Sequence, residues 1–427
     1  MLDLRSHFVV PPAPAVELRA FTHGLMPRGV PALMAGFCDD WAARGVDAWN
    51  RVPDRWGLGH DTSWWALPED LGDAWLAPLL GADAGTCILQ PNVGWTVNAL
   101  LSCDEPFRGA DGRAGGRTGV VLTDAEFPSV RHAVQRWAGL RDIRPVEVAA
   151  GADGFVDVDA VLDAITDDTA WVFVSHVGFA TGEVLPDDAL RAITERAHAH
   201  GATVCVDGYH ATANVPIHAA ALGVDVYVGG LLKEACGSTG NSYLYVRPGV
   251  DLRPRLSGWF GDADPFGFGP EPADHPAVRR RFLSGTTAVA SMYHAVEGLR
   301  VLLAAEGVDS TGGVLRGVEA VRADTLAKGA VAVTRADALG LALRSPADPA
   351  RRGAMLVFAV PHADRLSAWL KSQGVFTDSR RGEVLRMAPF VWNTPADVEH
   401  AFDAVARALA SGAHLAYRAP AEGGPVT

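Results

Sequence analysis

Asp207 and Lys233 are charged residues set in stretches that otherwise hold almost none. The apolar run ATVCV at 202–206 leads straight into Asp207-Gly208-Tyr209-His210. Lys233 stands in VGGLLKEACGSTG, among apolar and small residues. In an open α/β sheet, ligands bind beyond the carboxyl ends of the strands, so an acid at such an end is a candidate ligand group. An unpaired charge in an apolar setting is costly, and Asp207 therefore needs a cationic partner. A desolvated lysine loses its proton more readily, and its amine can then attack an aldehyde. Taken singly, Asp207 reads as a cap aspartate, Lys233 as a snorkelling lysine and His210 as a structural histidine. Together, with Lys233 about 26 residues after Asp207, they point to pyridoxal phosphate (PLP). Asp207 would keep the pyridine nitrogen protonated, and Lys233 would carry the cofactor's aldehyde carbon.

These residues need a sheet to hold them, and the sequence supplies its pattern. Residues 119–123 (GVVLT), 170–175 (AWVFVS) and 202–206 are short runs rich in β-branched residues, expected as buried parallel strands. Residues 186–200 (PDDALRAITERAHAH) carry acids in the first turn and His near the end, followed by Gly201. That is a helix whose charges match its dipole. Alternation of this kind predicts an α/β domain with helices on both faces of a sheet. The expected organisation is an N-terminal segment, 1–70, covering the site, and a large cofactor-binding domain, 71–295. A small α+β domain follows at 296–418, and a disordered tail at 419–427. In the small domain LALRS, AMLVFAV and VLRMAPF read as strands, while DRLSAWLKSQG and TPADVEHAFDAVARALASG read as helices.

Composition narrows the function. The chain has 427 residues, with 37 Lys+Arg against 50 Asp+Glu, a net charge of −13. That acid excess argues against a nucleic-acid partner, which needs clustered basic residues. The five cysteines show no CxxC spacing, so neither a disulfide framework, a zinc site nor any other metal site is expected. No run is long enough for a membrane span or signal peptide, and a soluble, cytoplasmic protein is expected. Tryptophan is oddly common, 12 against 6 Tyr. Trp49, Trp56, Trp64 and Trp65 crowd the N-terminal segment.

The chain resembles the class V aminotransferase group of fold-type I PLP enzymes, and within it the kynureninases. The resemblance runs from about residue 20 to 410. It is carried by DGYH (207–210), Lys233, LSGWFG (256–261) followed by PFGF, RFLSGTT (281–287), and LRMAPF (385–390) followed by WNTPADV. It implies a large α/β domain with a mixed or parallel sheet, plus a small C-terminal domain. It also implies roles. Lys233 would form the internal aldimine, Asp207 would pair with the ring nitrogen, and His210 would sit at the ring edge. Thr96, flanked by Trp95 in NVGWTVNALL, would bind phosphate at a helix start. Trp259 and Thr286 would donate to the phosphate. Phe127 would stack on the ring and Ser175 would touch the cofactor. Arg386 would grip the substrate carboxylate with its planar fork of donors. His23 and His176 are further candidates for handling substrate or an oxygen-derived intermediate. Fold-type I enzymes are commonly homodimers with shared sites, so a homodimer is expected.

The sequence also departs from the kynureninase pattern. Leu232 stands where those enzymes carry a Tyr just before the lysine. Glu234-Ala235-Cys236-Gly237-Ser238 replaces an aromatic and a Gly-rich run, and Val130 replaces the acid of an FPSD-type motif. The PLP platform is kept while a proton-transfer group is lost. The expected chemistry is loss of the Cα proton or CO2 from an α-amino acid, with Lys233 as acid and base. The altered site turns the reading toward O2-dependent oxidative decarboxylation to a carboxamide. The resemblance here is to PLP-dependent monooxygenase-decarboxylases of nucleoside-antibiotic pathways, whose substrates can be nucleoside-linked. Kynureninase-type hydrolytic cleavage, transamination and epimerisation remain alternatives. A catalytically silent PLP-fold partner protein is the non-enzyme alternative.

Overall fold

The computed structural model describes residues 2–109, 111–112, 115–309 and 311–418. The proposed tail at 419–427 lies outside the described residues. The frame is a seven-stranded sheet. Its strands in chain order are β1 (Cys87–Gln90), β2 (Gly119–Thr123), β3 (Arg144–Val148), β4 (Thr169–Ser175), β5 (Thr203–Asp207), β6 (Val226–Gly230) and β7 (Ser242–Val246). Their spatial order is β1-β7-β6-β5-β4-β2-β3. Neighbours from β6 through β5, β4 and β2 to β3 run parallel, and β7 alone opposes both its neighbours. Strands β2, β5 and β6 are buried almost throughout, as expected for strands covered on both faces by helices.

Two apolar layers sandwich the sheet because side chains alternate along each strand. Val172, Val174, Val204, Val206 and Tyr227 point into one layer, while Trp171, Phe173, Cys205, Val226 and Val228 point into the other. Helix α1 (Val30–Arg44) belongs to the N-terminal segment. Helices α2 (Val93–Leu101), α3 (Pro128–Ala138) and α4 (Asp187–Ala199) follow β1, β2 and β4. Asn92 starts α2 by accepting the Trp95 N–H at 2.7 Å, which satisfies one of the helix's orphan donors.

The small domain packs helices α5 (Val318–Ala338), α6 (Ala363–Ser372) and α7 (Pro395–Ser411) on an antiparallel sheet of β8 (Leu356–Ala359), β9 (Asp378–Arg380) and β10 (Val384–Met387), in the order β8-β10-β9. Thr394 and Asp397 form a reciprocal capping box at the start of α7, and Gly412 ends it at φ 67°. LALRS, expected as a strand, makes a single bridge, Leu343 to Phe358. Pro346 follows it, and the Ser345 hydroxyl accepts the Val357 N–H that a longer ladder would have used.

The proline-rich N-terminus is tied down. Val16–Glu17 pairs in parallel with Val375–Phe376, and Arg19 bridges to Ala388 beside β10. Phe8 is fully buried and lies edge-on to Trp392, with centroids 5.3 Å apart. Beyond it the chain passes the turn that carries Lys233, where the Gly24 N–H donates to the Leu232 carbonyl at 3.0 Å. A Cβ on Gly24 would come within 2.2 Å of the Lys233 carbonyl oxygen, so only glycine lets the two backbones meet so closely.

Candidate active site

Strands β4 and β5 end side by side, with Ser175 opposite Asp207, and β6 ends at Gly230, three residues before Lys233. Their carboxyl ends open on a cavity of about 400 Å³. Asp207, Lys233, His210, Phe127 and Ser175 all line it, as do Tyr209, Phe179, Val177, Leu232 and the start of α2 at Asn92, Val93 and Gly94. The sheet thus brings together residues separated by more than a hundred positions.

Lys233 Nζ is hydrogen-bonded to His210 Nε2 at 2.6 Å. It lies 4.7 Å from the centre of the Tyr209 ring and 5.6 Å from that of Phe127. Burial pulls its proton affinity down to about 8, against the opposing carboxylates of Glu234 and Asp207. A free amine is therefore available near neutral pH. Burial, with Lys233 and Arg386 adding to it, holds His210 well below the usual histidine range, so its imidazole is neutral. Asp207 accepts the Tyr209 N–H at 2.9 Å, and burial raises its carboxyl to about 6. A protonated ring nitrogen would supply the cation that this buried acid requires.

Behind Ser175 lies Glu126. Its carboxylate accepts the Ser175 hydroxyl at 2.5 Å, the Ser175 N–H at 3.0 Å and the Thr123 hydroxyl at 2.8 Å. Because the Ser175 proton is committed to Glu126, the cavity meets that hydroxyl as an acceptor. Burial lifts Glu126 to about 7. Glu126 has no spacing that marks it in the sequence. Glu234 stood out in the sequence only as part of the segment that replaces the family's aromatic and Gly-rich run.

Other expected site residues stand elsewhere. Thr96 is fully buried and its hydroxyl donates to the Asn92 carbonyl at 3.2 Å, and Val93 and Gly94 at the start of α2, not Thr96, line the cavity. The Trp95 side chain lines a smaller cavity of about 140 Å³ that it shares with Thr286. Trp259 donates its indole N–H to the Pro265 carbonyl. With Trp49, Trp65, Phe260, Phe266 and Thr286 it lines an aromatic cleft of about 620 Å³, apart from the Lys233 cavity. His176 alternates to the opposite face of β4 from Ser175. There it is buried, hydrogen-bonded to the Tyr227 hydroxyl at 2.7 Å, and pushed down by burial to about 4. His23 is exposed, 3.4 Å from the Ser238 hydroxyl and outside the cavity. Of the N-terminal tryptophans, Trp56 and Trp64 are buried against Tyr293, while Trp49 and Trp65 reach the cleft.

Arg386 lies on β10 just behind Phe179. It donates to the Phe179 carbonyl at 3.1 Å, pairs with Asp378, and sits 4.9 Å over the Phe21 ring. A substrate carboxylate there would compete with Asp378.

The residues present fit PLP. A lysine amine and a buried acid both line an aromatic-walled cavity, and a helix start supplies backbone donors for a phosphate. Among the described residues no group of three or more His, Cys, Asp or Glu could hold a metal ion, and no helix is long and apolar enough to cross a membrane.

Fold and site together define a fold-type I PLP-dependent enzyme. The family model for aminotransferase class-V matches residues 109–327, and the kynureninase C-terminal domain matches 321–405. The chain belongs to the class V aminotransferase family and is kynureninase-like. It is 30% identical over 332 residues to the uncharacterized aminotransferase YcbU of Bacillus subtilis, covering 77% of this chain and 81% of that one. It is also 30% identical over 380 residues to a kynureninase of Deinococcus radiodurans, covering 88% and 85%. Among solved structures, the apo cysteine desulfurase of Thermococcus onnurineus NA1 superposes with a TM-score of 0.74 at 18% identity, covering 93% of this chain and 95% of that one. A mutant of C-DES with glycine covalently linked to its PLP cofactor gives 0.75 at 18% identity, covering 92% and 97%. At that identity the likeness shows the fold.

Proposed function

We propose that the protein carries out O2-dependent oxidative decarboxylation of an α-amino acid, with PLP on Lys233. The overall reaction is R–CH(NH2)–COOH + O2 → R–CO–NH2 + CO2 + H2O. The cofactor supplies an electron sink for the bond that breaks at Cα. Asp207 would hold the ring nitrogen's proton, Phe127 would pack on the ring, and the start of α2 would take the phosphate. Lys233 carries the cofactor and moves the Cα proton. His210, neutral, receives the hydrogen bond of the lysine when the amine is free. Arg386 would bind the substrate carboxylate by exchanging Asp378 for it. Trp259 and Thr286, outside the Lys233 cavity of their own chain, would serve the phosphate of a partner subunit in a homodimer.

The observation that carries the oxidative reading is Leu232. Leu232 is among the residues that line the cavity, with Val177 and Phe179, and it stands where a kynureninase places a phenol. Such a wall offers no proton donor of that kind and admits an apolar gas. The 30% identity to a kynureninase favours hydrolytic Cβ–Cγ cleavage as the second reading. A screen of α-amino acids and aminoacyl-nucleosides, run with and without O2, separates the two. Consumption of one O2 per carboxamide is expected. Unchanged turnover in strictly anaerobic buffer overturns the oxidative reading, and anthranilate from L-kynurenine establishes the hydrolytic one. In either case Lys233→Ala should abolish covalent cofactor attachment and lower turnover by roughly 10³-fold or more.

A further inference from the structure

Ser175 and Asp207 end neighbouring strands, paired in register, and both line the Lys233 cavity. They follow Phe173 and Cys205 by two positions, and those residues pack in one apolar layer, so Ser175 and Asp207 stand on the same face of the sheet. Asp207, when ionised, offers only acceptors. A serine hydroxyl ordinarily offers a donor as well, because its proton rotates to suit a neighbour. At Ser175 that freedom is lost, because its hydroxyl donates to Glu126 Oε2 at 2.5 Å. Glu126 is itself held: its Oε1 accepts the Ser175 N–H at 3.0 Å and the Thr123 hydroxyl at 2.8 Å, and the residue is 1% exposed. The two strand ends therefore present the cavity with acceptors alone.

We propose that Glu126 is a positioning residue for Ser175: by taking the hydroxyl proton it leaves the serine oxygen able only to accept, so that Ser175 and Asp207 together select a hydrogen-bond donor at that wall, the protonated ring nitrogen of PLP. The identity of the ligand rests on the PLP reading above; the direction of the Ser175 proton does not. A ring N–H there would be drawn both to a carboxylate and to a lone pair aimed by a second carboxylate. A ring C–H in its place would gain little from either. Exchanging one atom of Glu126 reverses the pattern. In Glu126→Gln the amide oxygen can keep the Ser175 N–H and the Thr123 hydroxyl, and the amide nitrogen then stands where Oε2 was. That nitrogen donates to the Ser175 oxygen, and the serine proton must turn away from residue 126. The wall then sets a donor against a donor.

The first test needs no cofactor. A neutron structure of the cofactor-free protein at a pD well above 7, the value to about which burial raises Glu126, should show the Ser175 deuteron directed at Glu126 Oε2. A deuteron directed into the cavity, or carried by Glu126 toward the serine oxygen, overturns the proposal. The second test is equilibrium binding of PLP and of its 1-deaza analogue, which carries C–H in place of the ring nitrogen. Glu126→Gln should weaken PLP about tenfold and leave the analogue within about twofold of wild type, whereas a general distortion of the site would weaken both alike. In a Ser175→Ala background, Glu126→Gln should change PLP binding by less than about twofold, since its effect passes through the hydroxyl. Unchanged PLP affinity in folded Glu126→Gln, an equal loss for the two ligands, or a loss that persists without the serine hydroxyl overturns the proposal. If Glu126→Gln does not fold, the neutron structure decides. If wild-type protein takes up neither ligand, the PLP reading fails, and the role of Glu126 toward Ser175 stands or falls by the neutron structure.

Discussion

Two buried carboxyl groups flank the Lys233 cavity. Burial lifts both to about 7, yet their surroundings are opposite. Glu126, between β2 and α3, accepts three donors. Glu234, in the turn after β6, accepts none among the described residues. Burial is the largest influence on how hard each is to ionise. What surrounds it decides what it does with a charge. Glu126 has its charge shared out over fixed hydrogen bonds and acts as a structural joint between two strand ends. Glu234 has no such bond to another described residue to hold its charge. Acids equally remote from solvent can therefore serve different ends.

That contrast breaks first under truncation. Glu126→Ala strands two hydroxyls and an N–H, and should cost roughly 2–4 kcal/mol in urea unfolding. A loss below about 1 kcal/mol would show that the three bonds are dispensable. The next effect is on the pH dependence of stability. The folded-state value of Glu126 lies above its ordinary 4.5. Its stabilising contribution is therefore present below pH 4.5 and is lost as pH rises through about 7. Wild-type stability should decline over that window by up to about 3 kcal/mol. Glu126→Gln should flatten its share of the slope while losing acceptor capacity, as measured by unfolding at pH 5, 6, 7 and 8. His176, pushed down to about 4, works the other way. Its contribution is present above pH 6.5 and lost as pH falls toward 4, so His176→Gln should be less acid-sensitive than wild type by roughly 1–2 kcal/mol at pH 4.5. The last comparison is Glu234→Gln, which breaks no hydrogen bond to another described residue and should change stability at pH 7 by less than Glu126→Ala does. A loss as large as that of Glu126→Ala would erase the distinction between the two acids.

Much of this geometry was legible in the sequence. Asp207 and Ser175 ended apolar runs, and Lys233 interrupted one, so their meeting at the sheet's carboxyl edge followed from strand order. Phe127 and His210 came with the family motifs and line the cavity. Glu126 was hidden because an acid in a turn before a proline looks solvated until the fold closes over it. Thr96 and His176 were near the site in sequence but point away from it. A helical turn and a strand alternation each decide orientation by a single residue, and a motif does not carry that information. Trp259 and Thr286 stand in one aromatic cleft, joined by loops that no periodicity describes.

The N-terminal stretch has a mechanical consequence. Within nine residues it is bonded to the small domain, at Val16 and Arg19, and to the carbonyl just before Lys233, at Gly24. A strap so short has little slack. A shift of the small domain against the large sheet would therefore pull on the turn that holds Lys233.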